Sequence, residues 1–282
     1  MRSRRKRESP KCPQALAWGT ENCCLFSLPN NTGQGPASWT YSGYPDRHAF
    51  RGSYGGYAFP LYDRRKGPIA HNLNPALLTA LAEAYGLQAT PEEVFDAILC
   101  LLSAQSYSYQ FAEDLEDVFP HVPFPASHAT FAEAARIGAE IRALEAFQRP
   151  AAPAFRPKAF CKLARDLNGT ETIDDIGWVD GTLFLSRDAG KPVSVATGLP
   201  AAVWQFSVSG YRVLPRWIEG RKGLSVETYW PELRDVAARI HELIHWFGEA
   251  DLVLEATLAD TMTRAELGFP ASAVQEADGE ND

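Results

Sequence analysis

Sulfur is scarce in this sequence: the 282 residues include five cysteines and two methionines. The cysteines are Cys12, Cys23, Cys24, Cys100 and Cys161. Their number is odd and no pair has Cys-x-x-Cys spacing, so neither a disulfide framework nor a zinc ribbon is supported. Cys100 sits in an apolar run and reads as a small buried hydrophobe. Long apolar runs are missing as well. None is long enough to span a bilayer, and none follows the basic start Met1–Arg7 to make a signal peptide. The expected setting is therefore the cytoplasm, with no membrane partner. Without a secretion signal, the glycosylation patterns at Asn30 and Asn168 carry little weight. A positive balance is also lacking. Lys and Arg number 27 against 35 Asp and Glu, a net charge of −8. Taken alone this disfavours nucleic acid, because phosphate contacts need Lys and Arg. Distribution matters more than the sum. Acid gathers at Glu113–Asp117 and in Glu276–Asp282. Base gathers at Arg2–Arg7, at Arg64, Arg65 and Lys66, and between Arg212 and Lys222.

What is present has the composition of a globular protein, 45% hydrophobic and 22% charged. Residues 1–44 show no hydrophobic period and are rich in Ser, Pro, Asn and Gly, so they read as a disordered basic leader. Order is expected from Pro45. Phe50–Tyr62 reads as a glycine-bent turn feeding a short strand. Asn74-Pro75 predicts a capped helix start, and Thr90-Pro91-Glu92-Glu93 a capping box. Thr130-Phe131-Ala132-Glu133 predicts another box, opening a helix to about Phe147 with Phe131, Ala134, Ile137, Ile141 and Leu144 on one face. Pro150–Pro157 reads as a linker. Trp178–Leu185 predicts a hairpin around Asp180-Gly181. Val193–Val195 and Val203–Val208 read as short strands, and a last helix is expected from about Pro231 to Leu254. The fold class is α+β: a helical subdomain, 72–148, and a part at 155–268 with a small mixed sheet and a packed C-terminal helix. An acidic disordered tail is expected over 269–282. No internal repeat is found.

Several segments match one pattern in order. They are Phe50-Arg51-Gly52 with Phe59–Tyr62, Asn72–Leu78, Pro91–Leu99, Ser106–Leu115, Phe119–Pro125, Trp204–Trp217 and Gly220–Gly223. Together they resemble the C-terminal specificity domain of type ISP restriction–modification enzymes and related adenine methyltransferases. The resemblance runs from Pro45 to Gly268, and Ser209-Gly210-Tyr211-Arg212-Val213-Leu214-Pro215-Arg216-Trp217 is its most specific piece. It implies recognition of double-stranded DNA by a domain that is not catalytic alone. In those enzymes one polypeptide joins the domain to a nuclease, a helicase-like ATPase and an adenine N6-methyltransferase, so such a polypeptide is the expected partner. Those engines are not legible here. No Asn-Pro-Pro-Tyr motif or glycine-rich loop placed for S-adenosylmethionine is present, and no Asp…Glu-x-Lys nuclease cluster is found. Gly190-Lys191 is followed by Pro192, where a phosphate loop needs Ser or Thr. No cofactor is expected. A fragment, a degenerate remnant and a separately encoded specificity subunit are the three arrangements left open.

The DNA-contacting candidates are Arg212, Arg216, Arg221 and Lys222 around the Tyr211–Trp217 segment, with Arg51, Arg64, Arg65 and Lys66. Arginine's planar fork donates two parallel hydrogen bonds to guanine or phosphate. The plain alternative for each is a solvated or locally paired side chain. Gln205, Ser207 and Ser209 are expected to alternate along a strand and face a groove. Tyr54, Tyr57, Tyr62, Trp204, Phe206, Tyr211 and Trp217 either line that groove or, as is commoner for rings this size, pack in the core.

One motif points elsewhere. His241-Glu242-Leu243-Ile244-His245 matches His-Glu-x-x-His, with Asp251 and Met262 downstream. Two histidines one helical turn apart can hold zinc, and the glutamate can activate its water, as in a metalloprotease. Against this, Leu233, Val236, Ile240, Leu243, Ile244 and Phe247 form the buried stripe of the helix. That places the histidines beside the stripe and Glu242 on the opposite, polar side. His48, His71, His121 and His128 are scattered and read as structural. A third reading makes 74–147 a docking surface for a methyltransferase or nuclease subunit, which partner binding without DNA binding would distinguish.

Overall fold

The computed structural model describes residues 22–28, 35–36, 38–42, 56–63, 70–117, 120–167, 169–188 and 190–269. A three-stranded antiparallel sheet opens the chain, with β1 (Cys24–Ser27) between β2 (Ser38–Tyr41) and β3 (Tyr57–Pro60). Residues 22–28 and 38–41 fall within the stretch expected to be a disordered leader. Every residue of β1 is instead buried, and Phe26 is 1% exposed. β1, enclosed by its neighbours, shows no alternation; β2, Ser-Trp-Thr-Tyr, does alternate, but over only four residues.

The helices follow their start signals. α1 (Pro75–Tyr85) is capped by Asn74, whose side chain accepts from the Ala76 N–H. α2 (Pro91–Ser103) carries the complete Thr90/Glu93 capping box. Short helices α3 (Gln105–Gln110) and α4 (Asp114–Asp117) precede α5 (His128–Glu145). The box expected at Thr130 does not form. α5 begins two residues earlier, with Ser127 as its N-cap and without a side-chain cap bond. After a 3₁₀ turn at Pro153–Phe155 come β4 (Lys162–Leu163), β5 (Gly177–Val179), β6 (Thr182–Asp188) and β7 (Lys191–Thr197), in the order β4-β7-β6-β5. The β5–β6 turn is Asp180-Gly181, both at positive φ (46° and 82°), the geometry that gives a two-residue hairpin its twist. α6 (Ala201–Gln205), β8 (Ser207–Val208), β9 (Tyr211–Arg212), α7 (Val213–Glu219) and α8 (Val226–Ala259) complete the order. The class is α+β as expected, but the strands form three small antiparallel sheets rather than a mixed one. Of Val203–Val208 only Ser207-Val208 is strand; Val203–Gln205 is helix, because Pro200 supplies an extended N-cap and Val203 and Trp204 turn inward. α8 starts five residues before Pro231, from Ser225, whose hydroxyl accepts from the Thr228 N–H.

α2, α5 and α8 pack on one another and β2 lies across α2 and α5. α2 and α5 approach so closely at Gly138 that a Cβ there would stand 1.7 Å from the Asp96 carbonyl oxygen. Asp96 and Arg142 form a two-pronged ion pair across the same seam, at 2.6 and 2.9 Å. Gly35 and Pro36 are stitched to the β8–β9 hairpin, with the Ser209 N–H donating to the Pro36 carbonyl at 2.9 Å. The buried residues form one continuous core from Cys23 to Leu267 that both halves share. Among the described residues, no helix is long and apolar enough to cross a membrane.

Candidate nucleic-acid interface

The Ser-Gly-Tyr-Arg segment folds as a tight hairpin followed immediately by a helix. Ser209 and Gly210 turn the chain at positive φ, 47° and 73°. β9 then runs into α7, where Leu214 and Ile218 are fully buried and anchor the helix. The outward side of α7 is thereby left to Arg216, Trp217 and the turn Arg221-Lys222.

Aromatic faces hold these guanidinium groups. Arg212 is exposed, lies 5.3 Å over the Trp204 ring and donates to the Trp204 carbonyl at 3.2 Å. Arg216 stands 5.0 Å over Tyr211 and pairs with Glu219 at 3.1 Å, both side chains about half exposed. Arg221 lies 3.5 Å over Trp217 and 5.4 Å from Tyr229, and it donates to the Trp217 carbonyl at 3.0 Å. Lys222 is exposed beside it. Stacking fixes each planar group; Arg212 and Arg216 keep N–H edges for another partner, while Arg221 has its Nε buried, gives Nη1 to Trp217 and lies 3.7 Å from Glu232. The exposed Arg216–Glu219 pair is weak, within about 1 kcal/mol, so it does not withhold Arg216.

The structure thus brings Arg212, Arg216, Arg221 and Lys222 together on one short segment. Arg51, Arg64, Arg65 and Lys66, and Tyr54 with them, lie outside the described residues. The expected polar row does not form. Ser209 is fully buried, and Gln205 and Ser207 line a different groove, of about 720 Å³, with Gln105 and Ser108. The row failed because Gln205 is helical and only Ser207-Val208 is strand. Trp204 and Phe206 are core residues, each 8% exposed.

Beside the basic segment lies a cavity of about 370 Å³ between β2, the end of α5, β9–α7 and α8. Trp39, Tyr41, Phe147, Tyr211 and Trp217 give it aromatic walls; Arg216 and Arg239 stand at it. Phe147 follows α5 at φ 56°, an uncommon conformation for a bulky residue, and is 59% exposed. At the base is Glu145. One of its carboxyl oxygens, Oε2, accepts from the Thr40 N–H at 2.8 Å and the Thr40 hydroxyl at 2.5 Å. The other, Oε1, is buried and has no partner. Burial, only partly offset by Thr40, pushes the Glu145 carboxyl up to about 8. Sequence reasoning missed Trp39 and Tyr41 because it placed them in the leader. It missed Glu145 because a glutamate in the last turn of an amphipathic helix looks like a solvated one.

The side chains of the His-Glu-x-x-His helix are engaged with other parts of the fold. Glu242 does not lie on a polar face: it is 2% exposed, receives two hydrogen bonds from Arg149 and one from the Ala152 N–H, and is reached by Trp246. Burial alone would raise its carboxyl; Arg149, Ala152 and Trp246 outweigh that and hold it below the ordinary value. His241 uses Nδ1 on the Phe155 carbonyl at 2.9 Å and stacks on Phe160. His245 packs on Phe155. Asp251 accepts from the Ser106 N–H and hydroxyl at 2.8 and 2.6 Å. Among the described residues, no three His, Cys, Asp or Glu side chains are grouped to share a metal ion.

Residues 3–235 match the family model of the type ISP C-terminal specificity domain. Among solved structures, the cryo-EM structure of a DrdV–DNA complex is similar with a TM-score of 0.61 and 17% identity, over 89% of this chain and 26% of that one. The ATP-dependent type ISP restriction–modification enzyme LlaBIII bound to DNA is similar with a TM-score of 0.55 and 14% identity, over 84% of this chain and 16% of that one. At these identities the likeness is one of fold, and the chain spans about a quarter or less of either relative. No curated protein matches it by sequence.

Proposed function

From the chain's membership of the type ISP C-terminal specificity domain family, we propose that it reads a target sequence in double-stranded DNA for a restriction–modification system. Arg212, Arg216, Arg221 and Lys222 are its contact residues. The observation that carries the site is the stacking of three guanidinium groups on the rings of one hairpin–helix segment. Pre-set forks suit both phosphate oxygens and the O6/N7 edge of guanine, and little side-chain freedom is left to lose on binding. Arg51, Arg64, Arg65 and Lys66 extend the contact along the DNA backbone. The domain itself carries recognition, and the chemistry belongs to a methyltransferase, helicase or nuclease polypeptide that works with it in the cytoplasm.

Selection from a random duplex pool at low and moderate salt tests this reading. The expected result is an enriched sequence that survives moderate salt. Salt-labile binding without enrichment would overturn sequence readout by this chain.

A further inference from the structure

The cavity beside the basic segment differs from an ordinary surface dimple in three respects. Its walls are aromatic on several sides: Trp39 and Tyr41 from β2, Tyr211 and Trp217 from β9–α7, and Phe147 after α5. A cation stands at it in Arg216, the residue already assigned to DNA. Its base holds the Glu145 carboxyl, 4% exposed, with Oε2 engaged by Thr40 and Oε1 unpartnered. A buried polar atom without a partner is one that a ligand group at the cavity could satisfy.

These features fit one kind of guest. Flat walls select a planar ring, because stacking needs only a π-face. The Oε1 atom selects a ring with polar groups on its edge, which a purely aromatic side chain lacks. The neighbouring guanidinium groups select a ring attached to a phosphate. The space of about 370 Å³ admits one such ring and its sugar. We propose that this cavity is a binding site for a single nucleobase swung out of the DNA held by Arg212, Arg216 and Arg221, with Glu145 Oε1 meeting the edge of the base. The site rests on the DNA reading above and deepens it. A base held in this cavity would fix the register of the domain on the duplex, and readout would then include the cost of unpairing one position.

The test uses the full chain and the four deoxynucleoside 5′-monophosphates, with deoxyribose 5-phosphate as the control for phosphate contact alone. Saturation-transfer NMR gives affinities, and binding of the random duplex pool is measured in parallel by fluorescence anisotropy. At least one nucleotide is expected to bind with a Kd on the order of 1 mM, through its base protons, while the sugar phosphate does not. Phe147→Ala, which removes a ring that is 59% exposed and has Arg239 4.4 Å over it, and Glu145→Leu are each expected to weaken that nucleotide by about 5-fold or more. Thermal melting of both variants separates lost binding from lost folding. Failure of all four nucleotides, or binding that neither folded variant changes, overturns the cavity. If the duplex pool still binds in that case, the DNA reading stands without it. Nucleotide binding without any duplex binding keeps the cavity and overturns the DNA reading.

Discussion

Arg149 and Glu242 form a two-pronged contact across 93 residues of sequence, at 2.8 and 3.2 Å, and it ties the loop after α5 to the middle of α8. Glu242 is the residue a metalloprotease would need free to activate water. Here the Ala152 N–H occupies it as well, at 2.7 Å. Removing one member of such a pair strands the other. Glu242→Ala is expected to cost about 3 kcal/mol, toward the low end for a buried pair because Arg149 is 30% exposed. His241→Ala and His245→Ala are expected to leave DNA binding within about 2-fold, since both rings pack on Phe155 and make no contact assigned to DNA. Urea denaturation and anisotropy titration check the two halves. One equivalent of tightly bound zinc, lost in the histidine variants, would reverse the assignment.

The arginine cluster makes a different kind of prediction. Arg216→Ala is expected to weaken duplex binding by about 10-fold and to lower the slope of log K against log salt by about 1, the signature of one lost phosphate neighbour. Arg221→Lys keeps the charge but loses the planar stack on Trp217 at 3.5 Å. It is expected to bind nearly as weakly as Arg221→Ala. Full rescue by lysine would mean that Arg221 supplies charge alone.

Gly138 shows how little room separates α2 from α5. A methyl group there meets the Asp96 carbonyl carbon at 2.4 Å and its oxygen at 1.7 Å, both backbone atoms that no rotamer change can move. Gly138→Ala therefore has to spread the helices and loosen the Asp96–Arg142 pair. A loss of about 2–3 kcal/mol is expected, visible as a lowered midpoint in thermal or urea unfolding. An unchanged midpoint would mean the two helices can separate freely at this point.

Local rules explain what was legible and what was not. Asn74, Thr90 with Glu93, and Asp180-Gly181 act through neighbours in sequence, and each does in the structure what its residue type predicts. The arginine–aromatic contacts around Tyr211–Lys222 are local as well, since each ring lies within eight residues of the arginine over it. Long-range partners were not legible. β1 and β2 owe their burial to helices that follow them in the chain, and Glu145 owes its environment to Thr40, 105 residues away. Glu242 was read as solvated because a helical wheel shows only its own helix, not Arg149 arriving from a loop.

Glu145 and Glu242 carry opposite pH signs. Glu242 is held below its ordinary range, so its contribution is present above the unfolded value and fades on acidification. Glu145 is raised from 4.5 to about 8 by burial. Between those values the unfolded chain has released the proton while the folded chain keeps it. Stability is then expected to fall as pH rises from about 4.5, by up to about 1.4 kcal/mol per unit, and to level off above about 8. Tyr41, Arg216 and Arg239 line the same cavity. Burial pushes the Tyr41 hydroxyl up to about 12, above this window. Glu145→Gln keeps an oxygen for Thr40 and has no proton to lose. It is expected to flatten the dependence between pH 5 and pH 8 and to exceed the native protein in stability at the upper end. Urea midpoints measured across that range check it; parallel curves for the two proteins would show that Glu145 is ionised in the fold throughout.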